Sequence, residues 1–468
     1  MMLKTRLTDW KKHIKMIMLK VTDNCQWIQI PNIDGLSELS ADELGSVRSD
    51  LEKIADKSIG ALTAKDNPNL LVFPRDLHHY GDEIGDNYIL SMRGDKISTG
   101  NIMGFVGVND SQVDIKTRFA NDNQDYFLHY MLQKVFCVNL FDLKHSINEN
   151  PVFDILLYLF PYYLKKAVAQ GLFKKYRKFE YNDAKVRGPI NVSRHIKENI
   201  PFKGAIAYST REHSYDNEIT QLIRHTIEFI KTKKLGSLIL NNDLDTIKCV
   251  SQIVLATNTY NVSERTKVIN KNIRPVRHPY FSEYTDLQKI CLQILRHESI
   301  KYGQEKDKVY GILFDGAWLW EEYLYTILKK DGFEHPKNKQ MCGGFKMFDD
   351  KDEDFDKCSR RLYPDFYKND FIVDAKYKHL ENGVGREDLY QVVTYMYCKK
   401  AKNGAYLYPC KEELSHQQYK LTGYNGIIKV VPFFIPQKSF AAFNEFKNEI
   451  VDSENKTLDY IKSCQKTS

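Results

Sequence analysis

The stretch Leu362-Tyr363-Pro364-Asp365-Phe366-Tyr367-Lys368-Asn369-Asp370-Phe371-Ile372-Val373-Asp374-Ala375-Lys376-Tyr377 decides how the rest of the chain is read. Two β-prone runs flank Asn369-Asp370, and both Asn and Asp tolerate the positive φ of a two-residue hairpin loop. With that loop, Asp365 faces Asp374 across the ladder, and the two carboxylates stand about 5 Å apart on one face. Period-two alternation returns Lys376 to the same face and turns Ala375 away, where a small side chain suits packing against a helix. Facing carboxylates repel each other unless a divalent cation lies between them. Mg²⁺ suits such a place, because it takes one or two carboxylates and keeps waters and phosphate oxygens as its other ligands. It also lowers the pKa of a bound water, and Lys376 adds an ammonium able to orient that water or neutralise charge on a pentavalent phosphate. The plain alternative is a surface hairpin with its charges in water. Against it stands the apolar run Phe371-Ile372-Val373, which puts the hairpin inside a sheet, where charges need a reason.

Working outward, residues 314–330 have helical periodicity and carry Glu321, a carboxylate within reach of a metal at the hairpin. Glu322 lies about 100° further round that helix and points elsewhere. Downstream, residues 386–400 form a second helix on which Gln391 and Tyr395 share a face at i, i+4. The expected site is therefore Asp365, Asp374, Lys376, Glu321, Gln391 and Tyr395. Asp365, Asp374 and Glu321 are its metal ligands, for Mg²⁺ with Mn²⁺ as substitute. Pro364-Asp365, then Asp374-Ala375-Lys376, in a helix, hairpin, helix order, resembles the PD-(D/E)XK nucleases, one branch of which carries Gln-x-x-x-Tyr.

A more specific resemblance is to the McrC family, the nuclease subunits of McrBC-type restriction systems for modified DNA. Asp374-Ala375-Lys376-Tyr377-Lys378 resembles that family's D-A-K-Y-K run. Gly104-Phe105-Val106-Gly107-Val108 with Val113-Asp114-Ile115-Lys116-Thr117-Arg118 is similar to its G-x-I-G-V…I-x-I-x-P-K element, with Thr117 where the family has proline. Arg187-Gly188-Pro189-Ile190 with Arg194-His195-Ile196 resembles its R-G-x-I…R-H-I segment, and Tyr215-Asp216-Asn217-Glu218-Ile219 its D-N-x-x-N helix start, with Thr220 at the second Asn. The likeness spans about residues 100 to 400. It implies cleavage of double-stranded DNA in complex with a hexameric AAA+ GTPase, whose hydrolysis is stimulated by an N-terminal element inserted into the ring. The chain contains no G-x-x-x-x-G-K-[ST], so it is expected to bind no nucleotide by that route, and the motor is supplied in trans.

Composition sets the outer bounds. A chain of 468 residues exceeds one ordinary domain. The expected fold is α+β and multidomain: an extension at 1–65, a small β-rich module at 66–123, a helical middle region at 124–275, and an α/β nuclease domain with a mixed central sheet at 276–468. The balance of 68 Lys+Arg against 61 Asp+Glu, net +7, permits a nucleic-acid partner without requiring one. The nine cysteines form no Cys-x-x-Cys pair, which predicts reduced thiols and excludes zinc-finger spacing. Lys and Arg interrupt the apolar residues of the first 21 positions, so no signal peptide is expected. With no apolar run near about 18 residues, the chain is expected to be cytoplasmic and free of membrane partners. Two alternatives stay open: a stand-alone repair or mobile-element nuclease with the same hairpin, and a non-catalytic adaptor between a motor and DNA.

Overall fold

The structure is a computed structural model that describes residues 17–33, 36, 39–63, 70–74, 87–119, 125–136, 151–233, 236–241, 243–301, 309–336, 343–348, 361–381, 383–440 and 443–466. The acidic stretch 349–356, expected as a solvated loop, and the pair His78-His79 lie outside the described residues. The chain divides into two compact units, Met1–Phe141 with Glu305–Ser468, and Asp142–Gln304.

The first unit contains two five-stranded sheets. In one, Ile17–Thr22 pairs parallel with Ser111–Lys116, which pairs antiparallel with Ile102–Val108. The hairpin expected at 104–116 turns at Asn109-Asp110, with Asn109 at φ 50°. The next strand comes from far along the chain. Val309–Asp315 runs antiparallel to Ile102–Val108 and parallel to Leu70–Phe73. The sequence reading missed it because all seven of its residues are buried, and a strand covered on both faces shows no alternation. The following helix begins at Gly316 rather than Phe314. Asp315 caps it, its carboxylate accepting from the Trp318 amide at 2.8 Å. Earlier in the chain, Ser40 and Glu43 form the capping box of helix Ala41–Glu52.

The second sheet has the spatial order Phe366–Lys368, Phe371–Ala375, Asn403–Cys410, Ile427–Phe434, Gln417–Lys420. Its pairings are antiparallel, parallel, parallel and antiparallel, so it is mixed, as expected. The fully exposed edge strand Gln417–Lys420 carries no hydrophobic pattern and escaped the reading. Helix Arg386–Lys399 covers one face, with Val392 and Met396 packed on Ile372, Tyr406, Ile428 and Val430. Helix Gly316–Leu328 reaches the sheet through Trp320, whose indole donates to the Leu407 carbonyl at 3.4 Å and packs edge-on against Phe433. Buried Glu454 ties three helices together by accepting from the Tyr130 and Tyr323 hydroxyls at 2.8 and 2.9 Å and from Lys134 at 3.0 Å.

The second unit is less helical than its periodicity implied. Apolar residues at helical spacing continue to Lys175, but helix Pro151–Ala169 stops at Ala169, and Gly171 follows at φ 96°, a left-handed conformation that glycine adopts freely. Lys175–Asp183 then pairs along its whole length with Ile206–Ser214 in a nine-residue antiparallel ribbon. Strand Lys175–Asp183 alternates half-exposed and exposed positions, while Ala207, Tyr208 and Thr210 of its partner are buried, so the first strand gives no hydrophobic signal to read. The basic cluster Lys174, Lys175, Arg177 and Lys178 lies here. Lys175 pairs with Glu218 and Lys178 with Glu180. Of the aromatics at helical spacing, Tyr158, Phe160 and Tyr163 are core, while Tyr162 is only half-buried. No described helix is long and apolar enough to cross a membrane, and Cys25, Cys249, Cys291, Cys398, Cys410 and Cys464 are free thiols.

Candidate active site

The hairpin pairs Phe366 with Val373, Tyr367 with Ile372 and Lys368 with Phe371, the register expected of a two-residue turn at 369–370. Of the two turn residues only Asn369 takes a positive φ, 49°. Continuing the ladder by one residue brings Asp365 opposite Asp374, and the Asp365 carboxylate accepts a hydrogen bond from the Ala375 amide at 2.7 Å. Asp374 is 1% exposed, on the sheet face covered by helix Arg386–Lys399. Neither of its oxygens has a hydrogen-bond partner among the described residues. The ammonium of Lys376 lies 2.9 Å from Oδ2 as an ion pair. Burial pushes the Asp374 carboxyl well above the usual carboxylate range, the Asp365 charge adds to this, and Lys376 opposes it. Burial works against the Lys376 charge, but Asp374 outweighs it and holds the ammonium above its ordinary value.

Helix Arg386–Lys399 supplies the rest of the cluster. Lys376 Nζ lies 3.3 Å from Asp388 Oδ1 and donates to Gln391 Oε1 at 3.4 Å, and Gln391 Nε2 donates to the Tyr395 hydroxyl at 3.0 Å. Burial chiefly, then Asp365 and Asp374, raises the Tyr395 phenol. Asp388, missed in the sequence reading, also pairs with Lys378. Burial would raise its carboxyl, but the two lysines lower it on balance. The signal was present in the spacing: Asp388, Gln391 and Tyr395 fall on one helical stripe at i, i+3 and i+7.

Glu321 lies beside a histidine that meets the hairpin. Its Oε1 lies 3.7 Å from His335 Nδ1, and Glu322 Oε1 lies 3.8 Å from His335 Nε2, so both glutamates flank one imidazole. His335 Nδ1 also lies 2.7 Å from the Asp365 carbonyl oxygen. The two glutamates therefore do not divide into one facing the site and one facing away. Nothing in the spacing of the histidines marks His335 in the sequence. Burial would lower the His335 imidazole, but Glu322 and the Asp365 carbonyl outweigh it and leave it raised.

Buried carboxylate oxygens without hydrogen bonds, beside a second carboxylate, are a donor set that fits a hard divalent cation. No group of three or more His, Cys, Asp or Glu side chains arranged to hold a metal occurs among the described residues. A cation at Asp365 and Asp374 would thus keep waters or phosphate oxygens in most of its positions, the habit of Mg²⁺.

No curated protein matches the chain in sequence. Among solved structures, the half-complex from a tetradecameric assembly of Thermococcus gammatolerans McrB AAA+ hexamers with bound McrC is similar at 14% identity and TM-score 0.47, over 93% of this chain and 99% of that chain. The cryo-EM structure of the Thermococcus gammatolerans McrBC complex is similar at 14% identity and TM-score 0.34, over 67% of this chain and 88% of that one. The family model described as McrBC 5-methylcytosine restriction system component matches residues 97–409, a span that includes the first sheet's hairpin, the whole second unit and the Asp365–Asp374–Lys376 cluster. The chain belongs to the family of McrBC 5-methylcytosine restriction system components.

Proposed function

We propose that this chain is the DNA endonuclease subunit of a restriction system, hydrolysing phosphodiester bonds with Mg²⁺ in complex with an AAA+ GTPase that it stimulates. The observation that carries the reading is Asp374: a buried carboxylate opposite Asp365, with no hydrogen-bond partner for Oδ1 among the described residues and the Lys376 ammonium 2.9 Å from Oδ2. Purely structural buried carboxylates are normally hydrogen-bonded. The family description supports the restriction-system part.

Asp365 and Asp374 would hold the metal, which would supply polarisation of the phosphate and a bound water of lowered pKa. The chain's own groups do the remainder. Asp374 would have to be deprotonated to serve as a ligand. Lys376 neutralises charge on the phosphate as it develops, while Asp388 and Gln391 keep its ammonium in place. Tyr395 orients Gln391.

The test is plasmid cleavage by the full chain, co-purified with the AAA+ GTPase of its own genome, with Mg²⁺ and GTP. Wild type is expected to cut. Asp374→Asn and Lys376→Ala should each lose at least about a hundredfold in rate, the scale of removing one electrostatic stabiliser, and still co-purify with the motor. Wild-type cleavage by Lys376→Ala would refute the reading.

A further inference from the structure

The segment that follows Lys376 is held by the other sheet of the same unit. Arg118, just past strand Ser111–Lys116, donates from Nη2 to the main-chain carbonyl of Tyr377 at 2.6 Å and to Asn101 Oδ1 at 2.7 Å. Its guanidinium also stacks 4.7 Å from the Tyr377 ring centroid. Phe119 inserts between the rings of Tyr377 and His379, at 5.1 and 4.9 Å. Arg118 is itself anchored. The carboxylate of Asp23 accepts from the Arg118 amide, and its other oxygen lies 3.6 Å from Nε, with the two side chains 0% and 12% exposed. On its far side Tyr377 meets Gly316, where an added Cβ would come within 2.6 Å of the Tyr377 ring.

This is more machinery than one tyrosine needs for burial. An arginine fork is rigid and planar, and two short bonds from one nitrogen define where the accepting carbonyl sits. The carbonyl held is that of the residue directly after Lys376. The same three-residue segment carries Lys378, which shares Asp388 with Lys376. Fixing this segment fixes the direction from which Lys376 reaches Asp374, and a displacement of the end of strand Ser111–Lys116 is passed directly to it.

We infer that Arg118 is a positioning residue for the centre proposed above: by holding the Tyr377 carbonyl it sets Lys376 against Asp374 and makes the first sheet and the Asp374 strand move as one. The inference rests on the reading of Lys376 as a catalytic group.

Two variants test it in the full chain. Arg118→Lys keeps a cation beside Asp23 and loses the planar fork. Arg118→Met combined with Asp23→Asn removes both charges, so that no uncompensated ion is left buried and folding is preserved. In cleavage assays with Mg²⁺ and the AAA+ partner, both should lower kcat by about a hundredfold with KM for DNA unchanged, the scale of an ångström of misplacement. In the isolated chain, amide exchange should rise over residues 375–381 and nowhere else, with the melting temperature held. If both variants cut at the wild-type rate while Lys376→Ala is inactive, the clamp is refuted and the centre stands. If Lys376→Ala also cuts normally, the centre itself fails and the inference with it. Loss of rate accompanied by a matching loss of melting temperature and a chain-wide rise in exchange would make Arg118 a structural residue and overturn the inference.

Discussion

The two units each contain an antiparallel strand pair rich in lysine and carboxylate, and the two make opposite use of the charges. In the first unit, strands Phe366–Lys368 and Phe371–Ala375 are short, joined by two residues, largely buried, and form one edge of a five-stranded sheet. In the second unit, Lys175–Asp183 and Ile206–Ser214 pair over nine residues with no further strand beside them among the described residues. Lys178 and Glu180 on that ribbon are half or more exposed, so their 3.4 Å ion pair is screened by water and contributes little. Lys376 and Asp374 are 17% and 1% exposed, so their pairing is made against a desolvation penalty. A charge that costs little in water carries little information about function. A carboxylate kept at 1% exposure with its Oδ1 outside any hydrogen bond is unfavourable for the apo fold, a cost that the chemistry proposed above would explain.

Stability measurements can break this comparison. Ile372→Ala, at a fully buried position of the first hairpin, is expected to destabilise by about 2–5 kcal/mol, the range for truncation in a packed core. Lys178→Ala on the ribbon should stay within about 0.5 kcal/mol of wild type in the same denaturant titration. Equal losses at the two sites would show that the ribbon is packed as tightly as the sheet and remove the contrast.

A smaller effect sharpens it through pH. The Asp374 carboxyl is raised in the folded state above its ordinary value of 3.8. The folded protein therefore binds the proton more tightly than the unfolded chain. That contribution to stability is fully present at low pH and is lost as pH rises from 3.8 through the raised folded value. Asp374→Asn should gain melting temperature over wild type progressively as the medium becomes more alkaline. Mg²⁺ should restore the wild type at high pH and leave Asp374→Asn unchanged, since a ligand that binds only the folded form stabilises it. A pH-independent gap between the two proteins would show that Asp374 is not the strained group.

The smallest effect expected is at the glutamates. Because Glu321 and Glu322 flank His335 from its two ring nitrogens, Glu321→Gln and Glu322→Gln should slow cleavage to a similar degree. Each acts on Asp365 through the imidazole, a supporting contact of the kind whose loss brings about a tenfold effect or more. A severe loss confined to Glu321→Gln would place that carboxylate at the metal itself, as the sequence reading had it.

By itself the sequence determined what depends on neighbours in the chain. The turn at Asn369-Asp370, the register that sets Asp365 opposite Asp374, the return of Lys376 to their face and the Gln391–Tyr395 stripe all follow from φ preferences and from periods of two and 3.6 within a few residues. So do the capping box at Ser40 and the mixed sheet that the strand runs after 400 complete. What the tertiary structure alone decided depends on residues brought together from afar. Val309–Asp315 joins a sheet whose other strands end near residue 116, and its uniform burial erases the pattern that would have announced it. His335 lies 30 residues from the carbonyl it meets. Arg118 meets Tyr377 across 259 residues, a pairing that no local propensity encodes, because it exists only once two separately specified sheets have packed against each other.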